Sequence, residues 1–216
     1  MLKNLEKKNT LLNQFIAELR DKDIQQDRLR FRRNLERIGE IFAYEISKTL
    51  DYKEQKITTP LGVKRMMLPE RHPVLATILR AGLPLHNGLL NYFDRAGNAF
   101  VSAYRKYESK TEFDIHMEYV SSPDINDNTL IISDPMLATA SSMVLSYREL
   151  LRKGQPRHTH IVTIVASTQG VEKVQEELKG ESVTLWTGAI DDELTDKAYI
   201  VPGLGDAGDL AYGGKL

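Results

Sequence analysis

Between Leu130 and Ser142 the chain reads LIISDPMLATASS, an apolar β-branched run that ends in an acid and opens into a loop of small and hydroxylated residues. That order narrows the choice of fold. A strand at Leu130-Ile131-Ile132 delivers the chain to the carboxyl edge of a parallel sheet. Ser142 to Leu151 then reads as the next helix, with Met143, Leu145, Tyr147, Leu150 and Leu151 as its apolar positions. The loop between them lies over the helix N-terminus. Backbone N–H groups, the positive end of the helix dipole and the hydroxyls of Thr139, Ser141 and Ser142 together favour a phosphomonoester there. A carboxylate beside a phosphate repels it unless it faces a metal ion or sugar hydroxyls. Asp134 is therefore read as a ribose or hydrated-magnesium contact.

The remaining pattern builds an α/β architecture around that loop. Leu12, Phe15, Ile16 and Leu19 share one helix face, and Phe31, Leu35, Ile38, Phe42 and Ile46 repeat at spacings of four and three, so the first third reads as helical. Strands are expected at Val74 to Leu79 and Phe100 to Tyr104, with a helix near Leu85 to Tyr92 between them. Phe113 to Tyr119, FDIHMEY, alternates strictly; with the polar Lys106 to Glu112 before it, it predicts a half-exposed strand in a protruding hairpin or arm. The strand at Leu130, the helix at Ser142, then Ile161 to Ala166, Val171 to Leu178 and Val183 to Trp186 give βαβαβ. Gly154 and Gly180 stand where helices end.

Composition sets limits. The 216 residues suffice for one good core and predict a single domain over 1–216. The absence of cysteine removes disulfides, thiolate nucleophiles and cysteine-based zinc sites, and fits a reducing compartment. No run approaches the roughly 18 apolar residues of a membrane span, so a cytoplasmic protein with no membrane partner is expected. A formal net charge of -1 gives no global drive toward nucleic acid, although Arg28 to Arg37, RLRFRRNLER, is locally basic. Those arginines are expected to form a solvated helix face or a subunit contact. His158 and His160 flank Thr159 without a carboxylate partner and read as surface-lining rather than metal-binding. Trp186, with Tyr52, Tyr92 or Tyr199, reads as packing.

Three segments in order carry a family resemblance. Asp134 to Ser142, DPMLATASS, resembles the phosphoribosyl-diphosphate (PRPP) loop of the uracil phosphoribosyltransferases, usually DPMLATGGS. Ile78 to Leu83, ILRAGL, resembles that family's diphosphate-binding loop, and Tyr199 to Asp209, YIVPGLGDAGD, its uracil-binding segment. LRDKD from Leu19, FRRNLERIGEIFAYE from Phe31, TTPLGV from Thr58 and Ala189-Ile190-Asp191 add weaker matches, so the likeness spans nearly the whole chain. It implies a type I phosphoribosyltransferase fold: a mostly parallel central sheet flanked by helices, a helical amino-terminal extension, a protruding β-arm and a carboxyl-terminal base-binding loop. It also implies transfer of the phosphoribosyl group of PRPP to uracil with Mg²⁺, and a homodimer or homotetramer. Whether GTP is an effector stays open.

The residues implied are specific. Arg80, Ala81, Gly82, Arg105, Asp134, Pro135, Met136, Leu137, Ala138, Thr139, Ala140, Ser141, Ser142 and Asp206 would bind PRPP; Ile200, Gly205, Asp206 and Ala207 would hold uracil. Arg80, Arg105, Asp134 and Asp206 would serve the chemistry. Magnesium would be carried by PRPP, with Asp134 reaching it through water. Diphosphate departs with several negative charges from a sugar acquiring oxocarbenium character, which calls for guanidinium donors and Mg²⁺. Gly203, Gly205 and Gly208 satisfy G-x-G-x-x-G but lack the βαβ setting of a dinucleotide fingerprint. Without side chains they let the main chain pass close to a flat base, and backbone readout would reject cytosine by setting donor against donor.

Two departures stand out. Ala140-Ser141 replaces the usual Gly-Gly, costing on the order of 1 kcal/mol if position 140 requires positive φ. Arg105-Lys106-Tyr107-Glu108 differs from the usual arm opening. Alternatives are transfer to orotate or a purine, a PRPP- or nucleotide-sensing regulator binding RNA through Arg28 to Arg37, and an inactive homologue.

Overall fold

The computed structural model describes residues 1–107 and 113–214, with the side chains of 103–107 and 113–118 outside the description. Strand β1 (Leu2–Asn4) precedes helices α1 (Leu11–Arg20) and α2 (Arg28–Ser47). Both helices start at side-chain caps. The Thr10 hydroxyl accepts from the Leu12 N–H and the Asp27 carboxylate from the Arg30 N–H, satisfying donors that a first turn leaves without intrahelical partners. Leu12, Ile16 and Leu19 on α1, and Phe31, Leu35, Ile38, Phe42 and Ile46 on α2, are all buried, as their spacing predicts.

The first third is nevertheless not helical throughout. Strands β2 (Tyr52–Thr59) and β3 (Gly62–Pro69) form an antiparallel hairpin separate from the main sheet. Nearly every side chain on both faces is exposed, so its strands carry no apolar alternation to mark them. The sequence marked only TTPLGV, as a weaker family match, and it forms the turn of this hairpin.

The main sheet contains β4 (Val74–Leu79), β5 (Gly97–Tyr107), β6 (Phe113–Ser121), β7 (Thr129–Ser133), β8 (Met136–Leu137), β9 (His158–Ser167) and β10 (Val183–Asp191). Its order is β1-β10-β9-β7-β4-β5-β6, with β8 beside β9. Every pairing is parallel except β5 with β6. Helix α3 (Leu83–Tyr92) links β4 to β5, α4 (Ser141–Leu151) links β8 to β9, and α5 (Thr168–Glu177) links β9 to β10. Several strands run past their apolar stretches because backbone pairing continues at the sheet ends.

From β4 the chain winds one way, to β5. From β7 it winds the other way, through β9 to β10. The reversal lies between β4 and β7, which are adjacent, and open α/β sheets bind ligands outside the carboxyl ends of the strands at such a point. Helices α1, α2 and α3 cover one face through Leu12, Phe31, Leu85 and Leu89 against Ile131, Val162 and Trp186. Helices α4 and α5 cover the other through Met143, Tyr147, Leu150 and Val174 against Ile132 and Ile161.

Beyond Ser102, β5 pairs only with β6, after a bulge at Ser102/Ala103, which gives the expected two-stranded extension. Residues 108–112, including Glu108 of the altered arm opening, lie outside the described residues. The side chains of Arg105, Lys106, Tyr107 and His116 do too, so the expected half-exposure of β6 is observed only at its end, where Tyr119 is exposed.

The histidine pair differs from the surface-lining expectation. His160 is buried and accepts a hydrogen bond from Trp186 Nε1 at 3.0 Å, while His158 bridges the hydroxyls of Ser182 and Thr184. Trp186 is packed as expected, but Tyr52, Tyr92 and Tyr199 are exposed. Burial holds the His160 pKa down at about 3, with the neighbouring His158 adding to the effect. The unfolded chain binds a proton there below about pH 6.5, whereas the folded chain stays neutral until about 3. Its contribution to stability is therefore complete above pH 6.5 and falls as the solution is acidified, by at most about 1.4 kcal/mol per pH unit. Urea titrations at pH 7.5, 6 and 5 should show a shallower loss for His160→Gln than for the parent; an unchanged slope would assign the acid sensitivity to other groups.

Candidate functional site

At the reversal, β4 and β7 are tied across their ends. The Thr77 hydroxyl donates to the Ser133 carbonyl and the Ser133 hydroxyl to the Ala76 carbonyl, each at 3.2 Å. Both ILRAGL and DPMLATASS leave the sheet from this pair. The Leu79–Arg80 peptide is cis. At Gly82 an added Cβ would lie 2.2 Å from Thr77 Oγ1 and 3.0 Å from the Ser133 carbonyl, so only glycine allows the two loops to approach this closely.

The Asp134 loop is held more tightly than its sequence suggested. The Asp134 N–H donates to the Val162 carbonyl, and the Pro135 carbonyl accepts from both Ile164 and Val165. Met136 and Leu137, expected in the loop, form β8 against Val165 and Ala166, and Ser167 Oγ holds the Ala138 carbonyl at 2.6 Å. The condition posed for position 140 is met. Ala140 has φ 59° and ψ -4°, the left-handed region, and no side chain caps the α4 N-terminus. The first N–H groups of the helix, beside Thr139, Ser141 and Ser142, thus have no side-chain cap. Thr139 Oγ1 lies 3.3 Å from Ser141 Oγ, and Lys173 Nζ donates to Ser141 Oγ at 2.9 Å. Sequence reading missed Lys173, which comes from α5 and has no local motif.

The carboxyl-terminal segment meets the Arg80 loop. Strands β11 (Glu193–Leu194) and β12 (Ile200–Val201) pair antiparallel, and helix α6 (Ala207–Tyr212) follows. The glycine motif therefore has a short strand before it and a six-residue helix that begins inside it at Ala207, both absent from the sequence reading, but no βαβ unit. Gly203, at φ 55°, could not carry a Cβ without placing it 2.1 Å from the Ile200 carbonyl. Asp191 and Arg20 clamp this turn. The guanidinium donates to both Asp191 oxygens at 2.7 and 2.8 Å and to the Gly203 carbonyl at 2.9 Å, while Asp191 Oδ2 accepts from the Gly203 N–H at 2.9 Å. The weak LRDKD and Ala-Ile-Asp matches thus support the loop from behind.

Asp206 caps α6 by accepting from the Asp209 N–H at 2.9 Å. Arg80 Nη2 donates to Asp209 Oδ1 at 3.2 Å and to the Gly213 carbonyl at 3.3 Å, joining the diphosphate-loop candidate to the base-loop candidate. Ala81 adjoins Gly208, and Ile200 and Ala207 are buried while Gly205 is exposed. The structure so brings Arg80, Ala81, Gly82, the Asp134–Ser142 loop and the 200–207 loop to one edge. Arg105 is on β5 opposite Ile115, with its side chain outside the description.

The basic face of α2 is largely committed within the chain. Arg32 donates to the Ala211 carbonyl at 2.7 Å and lies over the Tyr212 ring, Arg30 pairs with Glu18, Arg33 with Glu36, and Arg37 bonds Asn34. It is neither simply solvated nor a free electrostatic stripe.

A mostly parallel sheet wound in this order, with an acidic-hydroxylated loop and a glycine-bearing turn at its reversal, defines a type I phosphoribosyltransferase fold. The uracil phosphoribosyltransferase family model matches residues 6–214. The chain is 58% identical over 213 residues to a uracil phosphoribosyltransferase from Porphyromonas gingivalis, covering 99% of this chain and 98% of that one. It is 39% identical over 203 residues to one from Pyrococcus furiosus, covering 93% and 85%. A solved structure of a protein from Aquifex aeolicus superposes with a TM-score of 0.87 at 30% identity, covering 99% and 98%. The chain belongs to the uracil phosphoribosyltransferase family.

Removing the Asp191 charge would leave the Arg20 guanidinium, which is only 21% exposed, without its anion. Asp191→Asn should destabilise the protein by about 3 kcal/mol and raise amide exchange first at Gly203 and its neighbours. Uniform exchange along the chain, with no local gain at 200–206, would show that the clamp does not govern this turn.

Proposed function

We propose that the protein transfers the 5-phosphoribosyl group of PRPP to N1 of uracil, releasing diphosphate and forming uridine monophosphate, as a single catalytic unit over 1–216. The observation that carries this reading is the meeting of ILRAGL, DPMLATASS and YIVPGLGDAGD at one sheet edge in a chain of this family. Cleavage of the anomeric bond leaves a cationic sugar and a diphosphate anion together. The N–H groups and hydroxyls from Ala138 to Ser142, with Pro135, Met136 and Leu137 shaping the approach, would hold the 5-phosphate. Arg80 and Arg105 would receive the diphosphate, with the backbone of Ala81 and Gly82 beside it.

Asp134 would face the ribose hydroxyls or a water of hydrated magnesium. Among the described residues no cluster of three acidic, histidine or cysteine side chains could cage a metal, and this donor set suits Mg²⁺, which keeps several waters and uses one or two carboxylates together with substrate phosphates. When bound, the ion supplies positive charge against the departing diphosphate. Ile200, Gly205, Asp206 and Ala207 would read the uracil edge, mostly through backbone groups, and Asp206 would stabilise the cationic sugar electrostatically. An oligomer belongs to the proposal. The β2–β3 hairpin exposes Leu61, Val63, Met66 and Met67, and such a hairpin alone is marginally stable in water. A cytoplasmic setting is also proposed: no described helix is long and apolar enough to cross a membrane, and the chain has no cysteine. GTP is an effector to be tested.

Purified protein with PRPP and Mg²⁺ should form uridine monophosphate from uracil and leave cytosine, orotate and hypoxanthine unreacted; turnover of another base would mean that the 200–207 loop reads a different edge. Asp206→Asn keeps an N-cap acceptor while removing the charge. Its kcat should fall with little change in stability, whereas retained turnover with weaker PRPP affinity would reject the electrostatic role. Ala140→Gly relieves the left-handed alanine. It should lower the PRPP KM several-fold, corresponding to about 1 kcal/mol, and leave the uracil KM nearly unchanged. The opposite pattern would place the loop outside the phosphate site.

A further inference from the structure

The α5 lysine adds a charge to the loop that its backbone motif does not contain. Lys173 lies one and a half turns into α5, half-buried, and its ammonium bonds Ser141 Oγ at 2.9 Å, although the two residues are 32 positions apart. Glu172, Glu176 and Glu177 share its helix, the last two at the i+3 and i+4 spacings where a lysine ordinarily pairs. Among the described residues it forms no ion pair with any of them. The cation is turned instead toward the first residue of α4, where Ala140 leaves the helix without a side-chain cap.

We propose that Lys173 is a direct ligand of the 5-phosphate of PRPP and of the nucleotide product, recruited from the neighbouring helix by Ser141. This rests on the reading of the Asp134–Ser142 loop as a phosphate site. An ammonium has three donors, so one can remain on the serine while another reaches a phosphate oxygen. The hydroxyl serves as a tether that limits the rotamers the long side chain must lose on binding. The pair also has a rationale in the loop itself. A left-handed alanine weakens the backbone cradle, and a charge-assisted contact restores affinity without requiring glycine.

The test uses the intact protein and two variants, Lys173→Gln and Lys173→Arg, with PRPP kinetics and with direct binding of uridine monophosphate and uridine. Lys173→Gln should raise the PRPP KM and weaken uridine monophosphate binding about tenfold, with uridine affinity and the uracil KM unchanged. Lys173→Arg should recover most of the loss. No recovery with arginine would mean that the lysine only braces the loop and would overturn the proposal. So would unchanged nucleotide affinity in Lys173→Gln. If the parent itself binds neither PRPP nor uridine monophosphate, the loop is not a phosphate site, and the function proposed above falls together with this role.

Discussion

The parallel pairing of β4 with β7 is the constraint on which the rest depends. Two strands distant in sequence lie side by side, their following segments wind in opposite directions, and a crevice opens where the two paths separate. Hydroxyl bonds from Thr77 to the Ser133 carbonyl and from Ser133 to the Ala76 carbonyl fix the ends of the pair, and the lack of a side chain at Gly82 brings their loops together. The two loops proposed to hold phosphate and diphosphate therefore arise from one backbone contact. Neither loop could meet the other if a strand stood between them.

The third side of the crevice is made differently. Ile200 to Ala207 belong to no strand of the main sheet, so their geometry comes from tertiary contacts. A guanidinium and a carboxylate satisfy both the N–H and the C=O of Gly203, while Arg32 and Arg80 hold the end of α6 from two directions. An irregular segment given such fixed partners can present backbone donors and acceptors as rigidly as a strand does. Rigidity is what selection by backbone groups requires, because an adaptable turn could rearrange to accept the wrong pattern.

Much of this was legible in the residues and some of it could not be. The apolar stripes of α1 and α2 and the buried parallel strands announce themselves, because burial imposes a period. The β2–β3 hairpin has both faces in solvent and leaves no such mark. Of the site, ILRAGL and DPMLATASS were readable as local motifs, and the doubt over Ala140 could be posed in advance, since a left-handed residue without glycine has a definite cost. The Arg20–Asp191 clamp and the reach of Lys173 were not readable. Each joins residues separated by long stretches of chain, and nothing in the spacing of arginine, aspartate, lysine or serine specifies a partner in three dimensions.

Strand β1 gives the architecture a temporal side. The Met1 ammonium donates to the Val183 carbonyl, 182 residues away, and Leu2 to Asn4 pair with Leu185 to Thr187. During synthesis β1 emerges well before its partner strand, β10. The apolar faces of α1 and α2 likewise wait for Trp186, Leu204 and Ala211 to complete their cover. Contacts of such sequence separation form slowly and leave apolar surface uncovered meanwhile. The side-chain caps at Thr10 and Asp27 favour the two helices before the sheet exists to receive them. A nascent chain with preformed helices but an unfinished sheet is the species that a chaperone would meet.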